Sequence, residues 1–299
     1  MKIHVVHLML GSLMLWGMGQ AHAALREEQL DVPVRVQNMY GKEVAQNIKV
    51  TVFSDDAQPR PMPVLVLNHG RAVEAEGRAK LGRARFVSAA QYFVRRGFIV
   101  AVPTRVGYGV SGGEDVEDSG PCGRKNYPPG FAAAADQILT VLASVQQRPD
   151  VDPEHAVVVG QSFGGTSAVA IAAKNPRSVV ASINFAGGGG GNPKTRPGQP
   201  CAAQQLGSMF RNFGETARVP MLWIYTENDQ FFGASLPKEW FDAYLGAGAK
   251  ADFVQFPPHG EDGHQLFSRF PEVWQPKVGA FLDQLGFKPV PTLAIQHNK

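Results

Sequence analysis

Two patterns of apolar and polar residues take turns along the chain: short β-branched runs, and stretches with apolar residues at helical spacing. That alternation predicts an α/β fold with a mostly parallel central sheet and helices on both faces. Leading strands are expected at residues 32–37 and 48–53, with room for an antiparallel entry, and the next at 63–68, where PVLVLN is apolar as a strand covered on both faces requires. Further strands are expected at 98–103, 155–160, 179–185, 220–226 and 251–256. Helices are expected at 86–96, stopped by Gly97, and at 131–147, 163–174, 202–213, 236–245 and 273–285.

Two stretches carry no period. Residues 107–130 are rich in Gly and Pro and hold Glu114, Asp115, Glu117 and Asp118, and residues 187–199 open on a glycine run. Both follow strands, and loops of that length inside a domain usually serve function. The tail 288–299, with Pro289 and Pro291, reads as an extended arm.

The first 23 residues stand apart from this pattern. Lys2, an apolar stretch over 5–18 too short and interrupted to span a bilayer, and Ala21-His22-Ala23 read as a secretory signal peptide. Residues 24–299 are then one exported domain, periplasmic or secreted, with no membrane attachment after cleavage. With 44% hydrophobic and 18% charged residues, the chain is neither a disordered polyelectrolyte nor a membrane bundle. Its net charge of +3 is too small to argue for nucleic acid as a partner. The basic residues between Arg71 and Arg96, interleaved with Glu74 and Glu76, are expected on a solvated helical face.

Candidate chemistry centres on a serine. The pattern G-x-S-x-G occurs around Ser111 and around Ser162. Ser162 follows the apolar Val157-Val158-Val159 and precedes a run of small residues opening a helix, the strand, sharp turn and helix that hold a nucleophile in a strained conformation. Ser111 runs into an acidic loop instead. A serine hydroxyl needs a base, and the base an orienting carboxylate. His264 is favoured as base, with His259 in the same loop as runner-up. His4, His7 and His22 leave with the leader, His155 opens a strand, His297 lies in the tail, and His69 sits where its backbone is wanted. Asp229, just past the strand at 220–226, is the expected carboxylate, with Glu227 as alternative and Asp262 treated as solvated. The N–H groups of Phe163 and Arg71 are the expected oxyanion donors.

Together, His69-Gly70, the turn at 160–164, Asp229 and His264 resemble the α/β-hydrolase superfamily, and NFAGG, TENDQFF and GEDGH are similar to its dienelactone-hydrolase-like branch. The resemblance covers residues 61–285 and implies an α/β-hydrolase fold of about eight strands, with no metal or organic cofactor. Dienelactone hydrolases proper carry a cysteine as nucleophile where this chain has Ser162, which points to ordinary ester hydrolysis. The expected activity is that of a serine hydrolase cleaving a small-molecule carboxylic ester through an acyl-enzyme. A peptidase or amidase, a lactone hydrolase, or a catalytically silent binding protein on the same fold are the alternatives.

Cys122 and Cys201, the only cysteines, lie in segments that follow parallel strands and overhang the binding crevice. In an oxidising compartment they are expected to form a disulfide tying two walls of the site together. Tyr108, Tyr127, Phe131, Phe231 and Phe232 are candidates to line a substrate pocket.

Overall fold

A computed structural model describes residues 25–289. The expected leader at 1–23 and the tail from residue 290 lie outside the described residues.

Strict alternation builds the first hairpin. In β1 (Arg26–Gln37) Val32, Val34 and Val36 are buried while their neighbours face solvent, and β1 pairs antiparallel along its whole length with β2 (Glu43–Ser54). Both strands outrun their apolar halves, because backbone pairing continues where the side-chain pattern has become polar. The next strand is β3 (Met62–Asn68), followed by α1 (Ala75–Ala79), a single turn that buries nothing and left no periodic signal. After α2 (Val87–Arg95) and β4 (Ile99–Thr104) comes the long aperiodic stretch. It ends earlier than expected, since α3 (Tyr127–Val145) begins with Pro128 and Pro129 in its first turn, where no backbone N–H is needed.

The remaining chain is β5 (Val151–Gln161), α4 (Phe163–Lys174), β6 (Val179–Phe185), α5 (Ala203–Thr216), β7 (Met221–Thr226), α6 (Leu236–Gly246), β8 (Ala251–Phe256), the short α7 (Leu266–Arg269) and α8 (Pro271–Gln284). The eight strands form one sheet in the order β1-β2-β4-β3-β5-β6-β7-β8. The β1-β2 and β2-β4 pairs are antiparallel and the others parallel.

The central strands divide their side chains between two cores. Val64, Val66, Ala156 and Val158 join α3, α4, α5 and α6 on one face, while Leu65, Leu67, Val157 and Val159 join α2, α7 and α8 on the other. Period-two burial on both faces explains why these strands read as unbroken apolar runs. Because β3, β5, β6, β7 and β8 run the same way, the loops leaving their carboxyl ends gather at one edge of the sheet, where a crevice forms.

Candidate active site

Ser162 joins β5 to α4 with φ 58° and ψ −123°, a backbone state that a residue with a side chain keeps only when its surroundings hold it there. Its N–H donates to the Phe185 carbonyl at 2.8 Å, and its carbonyl accepts from Thr166 N–H at 3.1 Å. A Cβ at Gly164 would stand 2.6 Å from the carbonyl oxygens of Asn68 and His69, so glycine is what lets the first turn of α4 lie against the end of β3. A Cβ at Gly70 would come within 2.9 Å of that of Ser162, which places the turn after β3 directly against the serine. Ser111 is buried elsewhere, its hydroxyl donating to the Thr104 carbonyl at 2.5 Å and accepting from Lys49 N–H at 2.9 Å.

Asp229 and His264 come together. Nδ1 of His264 donates to Asp229 Oδ2 at 2.9 Å, while Oδ1 accepts from the N–H groups of Phe231 and Phe232 at 2.8 and 3.0 Å. An ionised carboxylate only accepts, so Nδ1 carries the proton in this bond, and in that tautomer of the neutral imidazole the lone pair is at Nε2. The imidazole stacks on Phe231 at 4.1 Å and meets the edge of Phe232 at 5.3 Å. Gln161, next to the serine, donates its side-chain amide to the His264 carbonyl at 3.1 Å, which brings the histidine loop to the rim that holds Ser162. No direct hydrogen bond joins the Ser162 hydroxyl to the His264 ring among the described residues. Distances of that kind commonly tighten only with substrate present.

His259 is turned away, with Nδ1 bonded to the Pro257 carbonyl at 2.7 Å and its ring against Phe256 and Phe270. Glu227 is exposed. Asp262, expected to be solvated, instead accepts from the N–H groups of His264 and Gln230, both at 3.0 Å. Asn228 accepts from His259 N–H at 3.0 Å and donates to the Gly260 carbonyl at 3.0 Å. These two side chains lash the histidine loop to the aspartate loop. Neither role was legible, because each is defined only by a partner about 30 residues away.

The N–H groups of Phe163 and Arg71 donate to nothing else among the described residues. Behind Gly70 lies a polar network that sequence reasoning missed. His69 Nδ1 donates to the Gly70 carbonyl at 2.7 Å, Nε2 accepts from Arg105 N–H at 3.2 Å, and the Arg105 guanidinium donates to the His69 carbonyl at 2.8 Å. Since the peptide unit is trans, holding the Gly70 carbonyl on one side turns the Arg71 N–H to the other. Arg105 is wholly buried and pairs with Glu117 at 2.5 Å; Tyr108 donates to the same carboxylate at 2.5 Å. Burial, then the neighbouring Arg105 charge, hold the His69 imidazole well below its usual pKa, so it is neutral.

A cavity of about 310 Å³ opens beside Ser162, lined also by Phe163, Gly188–Gly191, Phe231 and Phe232. The disulfide Cys122–Cys201 forms, joining the loop after β4 to the loop after β6 across this cavity. Tyr108, Tyr127 and Phe131 do not line it. They are fully buried, Tyr127 through a 2.5 Å hydrogen bond from its hydroxyl to the Cys201 carbonyl and Phe131 by stacking on Phe163 at 4.2 Å. Nor do Arg71 and Arg78 lie on a solvated face: both line the cavity and converge on Asp115, at 2.6 and 2.9 Å. Burial pushes the Asp115 carboxyl up, but the two guanidinium groups outweigh it and hold it below the usual carboxylate range.

A family model described as serine aminopeptidase, S33, matches residues 59–231. Among curated proteins no relative matches. Solved structures with a similar fold include a Klebsiella pneumoniae protein provisionally named a dienelactone hydrolase, with TM-score 0.55, 13% identity, and coverage of 87% of this chain and 99% of that one. An acetyl xylan esterase from Paenibacillus sp. R4 aligns with TM-score 0.57 and 16% identity, over 87% of this chain and 89% of that one. The acylaminoacyl peptidase of Pyrococcus horikoshii aligns with TM-score 0.57 and 13% identity, over 87% of this chain but 42% of the peptidase. At such identities the likeness establishes the fold alone.

Proposed function

The chain belongs to the serine aminopeptidase, S33, family of α/β-hydrolases, and from that premise we propose that it is a serine hydrolase cleaving carboxylic esters through an acyl-enzyme. The observation that carries the reading is the strained Ser162 at the N-terminus of α4, on the same rim as the His264–Asp229 pair. In the proposed reaction His264 Nε2 takes the hydroxyl proton as Ser162 Oγ attacks the ester carbonyl. Asp229 keeps the proton on Nδ1 and stabilises the imidazolium that forms. The developing oxyanion lies between the N–H groups of Phe163 and Arg71, the first of which also has the helix N-terminus behind it. His264 then returns the proton to the leaving alcohol, and a water activated by the same imidazole releases the acid.

Hydrolysis of p-nitrophenyl acetate and butyrate tests this. Ser162→Ala is expected to lower kcat by about 10³-fold or more; unchanged turnover in that variant overturns the reading. The family's name favours a second activity on the same residues, cleavage of amides. Aminoacyl p-nitroanilides hydrolysed faster than the esters would make that the principal one. The reading includes export under the leader at residues 1–23, supported by the disulfide, which persists in oxidising compartments. N-terminal sequencing of the mature protein tests it, with Ala24 as the expected first residue.

A further inference from the structure

The cavity beside Ser162 is lined by four cations, Arg71, Arg78, Lys125 and Arg196, and by one carboxylate, Asp118. Arg71 and Arg78 are engaged by Asp115. Arg196 and Lys125 are not balanced in this way, and among the described residues neither forms an ion pair with a carboxylate. The Arg196 guanidinium donates to the two sulfurs of the Cys122–Cys201 disulfide, which are weak acceptors. The Lys125 ammonium donates only to neutral oxygens, the Ser119 hydroxyl at 3.2 Å and the Gly120 carbonyl at 2.5 Å. Burial lowers the Lys125 pKa; Asp118 and Asp115 pull it up, while the charges of Arg71 and Arg196 lower it.

Arg196 is held in place. Its N–H donates to the Asn192 carbonyl at 2.9 Å, its carbonyl accepts from Gln199 N–H at 3.1 Å, and Cys201 N–H closes the turn onto the Gly190 carbonyl at 3.0 Å. The disulfide then fixes this turn to the wall that carries Lys125. A guanidinium so fixed, lining the cavity without a carboxylate partner among the described residues, matches a planar two-oxygen anion.

We propose that Arg196 and Lys125 form a subsite for a carboxylate carried by the substrate, so that the preferred substrate is a small ester with a free carboxylate. The proposal rests on the serine-hydrolase reading of Ser162 and adds the substrate's charge to it. Two isosteric pairs test it and locate the charge. On the acyl side, p-nitrophenyl hydrogen glutarate is compared with p-nitrophenyl glutaramate; on the alcohol side, 4-carboxyphenyl butyrate is compared with 4-carbamoylphenyl butyrate, each corrected for uncatalysed hydrolysis.

In one pair the carboxylate ester is expected to show a kcat/KM at least about tenfold above its carboxamide, with the ratio falling about tenfold or more in Arg196→Gln and in Lys125→Met, mainly through KM. No preference for the carboxylate in either pair overturns the proposal while leaving the esterase reading intact. If none of the four esters is turned over, the esterase reading fails and binding decides. Calorimetric binding of glutarate by the wild-type protein, at least about tenfold weaker in a folded Arg196→Gln, sustains the subsite; absence of glutarate binding removes it.

Discussion

His264 and Asp229, 35 residues apart in sequence, meet through a 2.9 Å hydrogen bond between two side chains that are almost wholly buried. The carboxylate divides its work, with Oδ2 on the imidazole and Oδ1 on the backbone of the Phe231-Phe232 turn. Asp229→Asn can keep the Oδ1 contacts with its amide oxygen. It then presents an N–H to Nδ1 and forces the proton onto Nε2, the atom that the proposed reaction uses as base. The expected loss in kcat for p-nitrophenyl butyrate is about 10³- to 10⁴-fold, with a thermal midpoint close to that of the wild type. Steady-state kinetics beside a melting curve separates this from loss of folding.

Gly70 is a test of the turn that faces the serine. In Gly70→Ala the new methyl has to occupy space 2.9 Å from Ser162 Cβ, so the turn and its Arg71 N–H must retreat. The expected result is a stability cost of about 1–3 kcal/mol and a fall in kcat of about 10²-fold with KM little changed, as removal of one oxyanion donor would give. Urea unfolding and kcat measured on the same preparation check both parts.

Acid sensitivity should begin with His69. Its folded pKa lies below the ordinary value of about 6.5, so under mildly acidic conditions the unfolded chain takes up a proton that the folded one refuses. Stability is therefore full above about pH 6.5 and falls with acidification until the folded pKa is reached, at up to about 1.4 kcal/mol per pH unit. Thermal midpoints between pH 7 and 5 measure the slope, which should flatten in His69→Asn. Glu27, Asp115, Asp150 and Asp152 are held below their usual range and add their own losses only at lower pH.

The disulfide closes a span of 79 residues, for which chain entropy alone gives about 4 kcal/mol of stabilisation. Reduction, or the double variant Cys122→Ala with Cys201→Ala, should lower the unfolding free energy by an amount of that order. Because the same bridge joins two walls of the cavity, KM for any substrate that fills it should rise more than kcat falls. Equilibrium unfolding and kinetics with and without reductant provide the measurement.

The sequence by itself determined the places of the eight strands along the chain, the positions of the long helices and the turn carrying Ser162. Those features are written in short windows, as burial on two sheet faces, apolar residues at helical spacing, and small residues where backbones touch. It also narrowed the candidates for base and carboxylate to a few residues on the two loops that meet, and brought the two cysteines together, because the direction of parallel strands decides which loops share an edge.

Only the tertiary structure decided which members of those loops face one another. His264 rather than His259 reaches Asp229 because Asn228 from the aspartate loop and Asp262 from the histidine loop tie the two loops together. The arginines at 71 and 78 turn inward because Asp115 arrives from a distant loop to receive them, and Tyr108, Tyr127 and Phe131 pack away from the cavity because Glu117, the Cys201 carbonyl and Phe163 are there to meet them. Periodicity reports the face on which a residue lies; a partner brought from another part of the chain decides what its side chain does there.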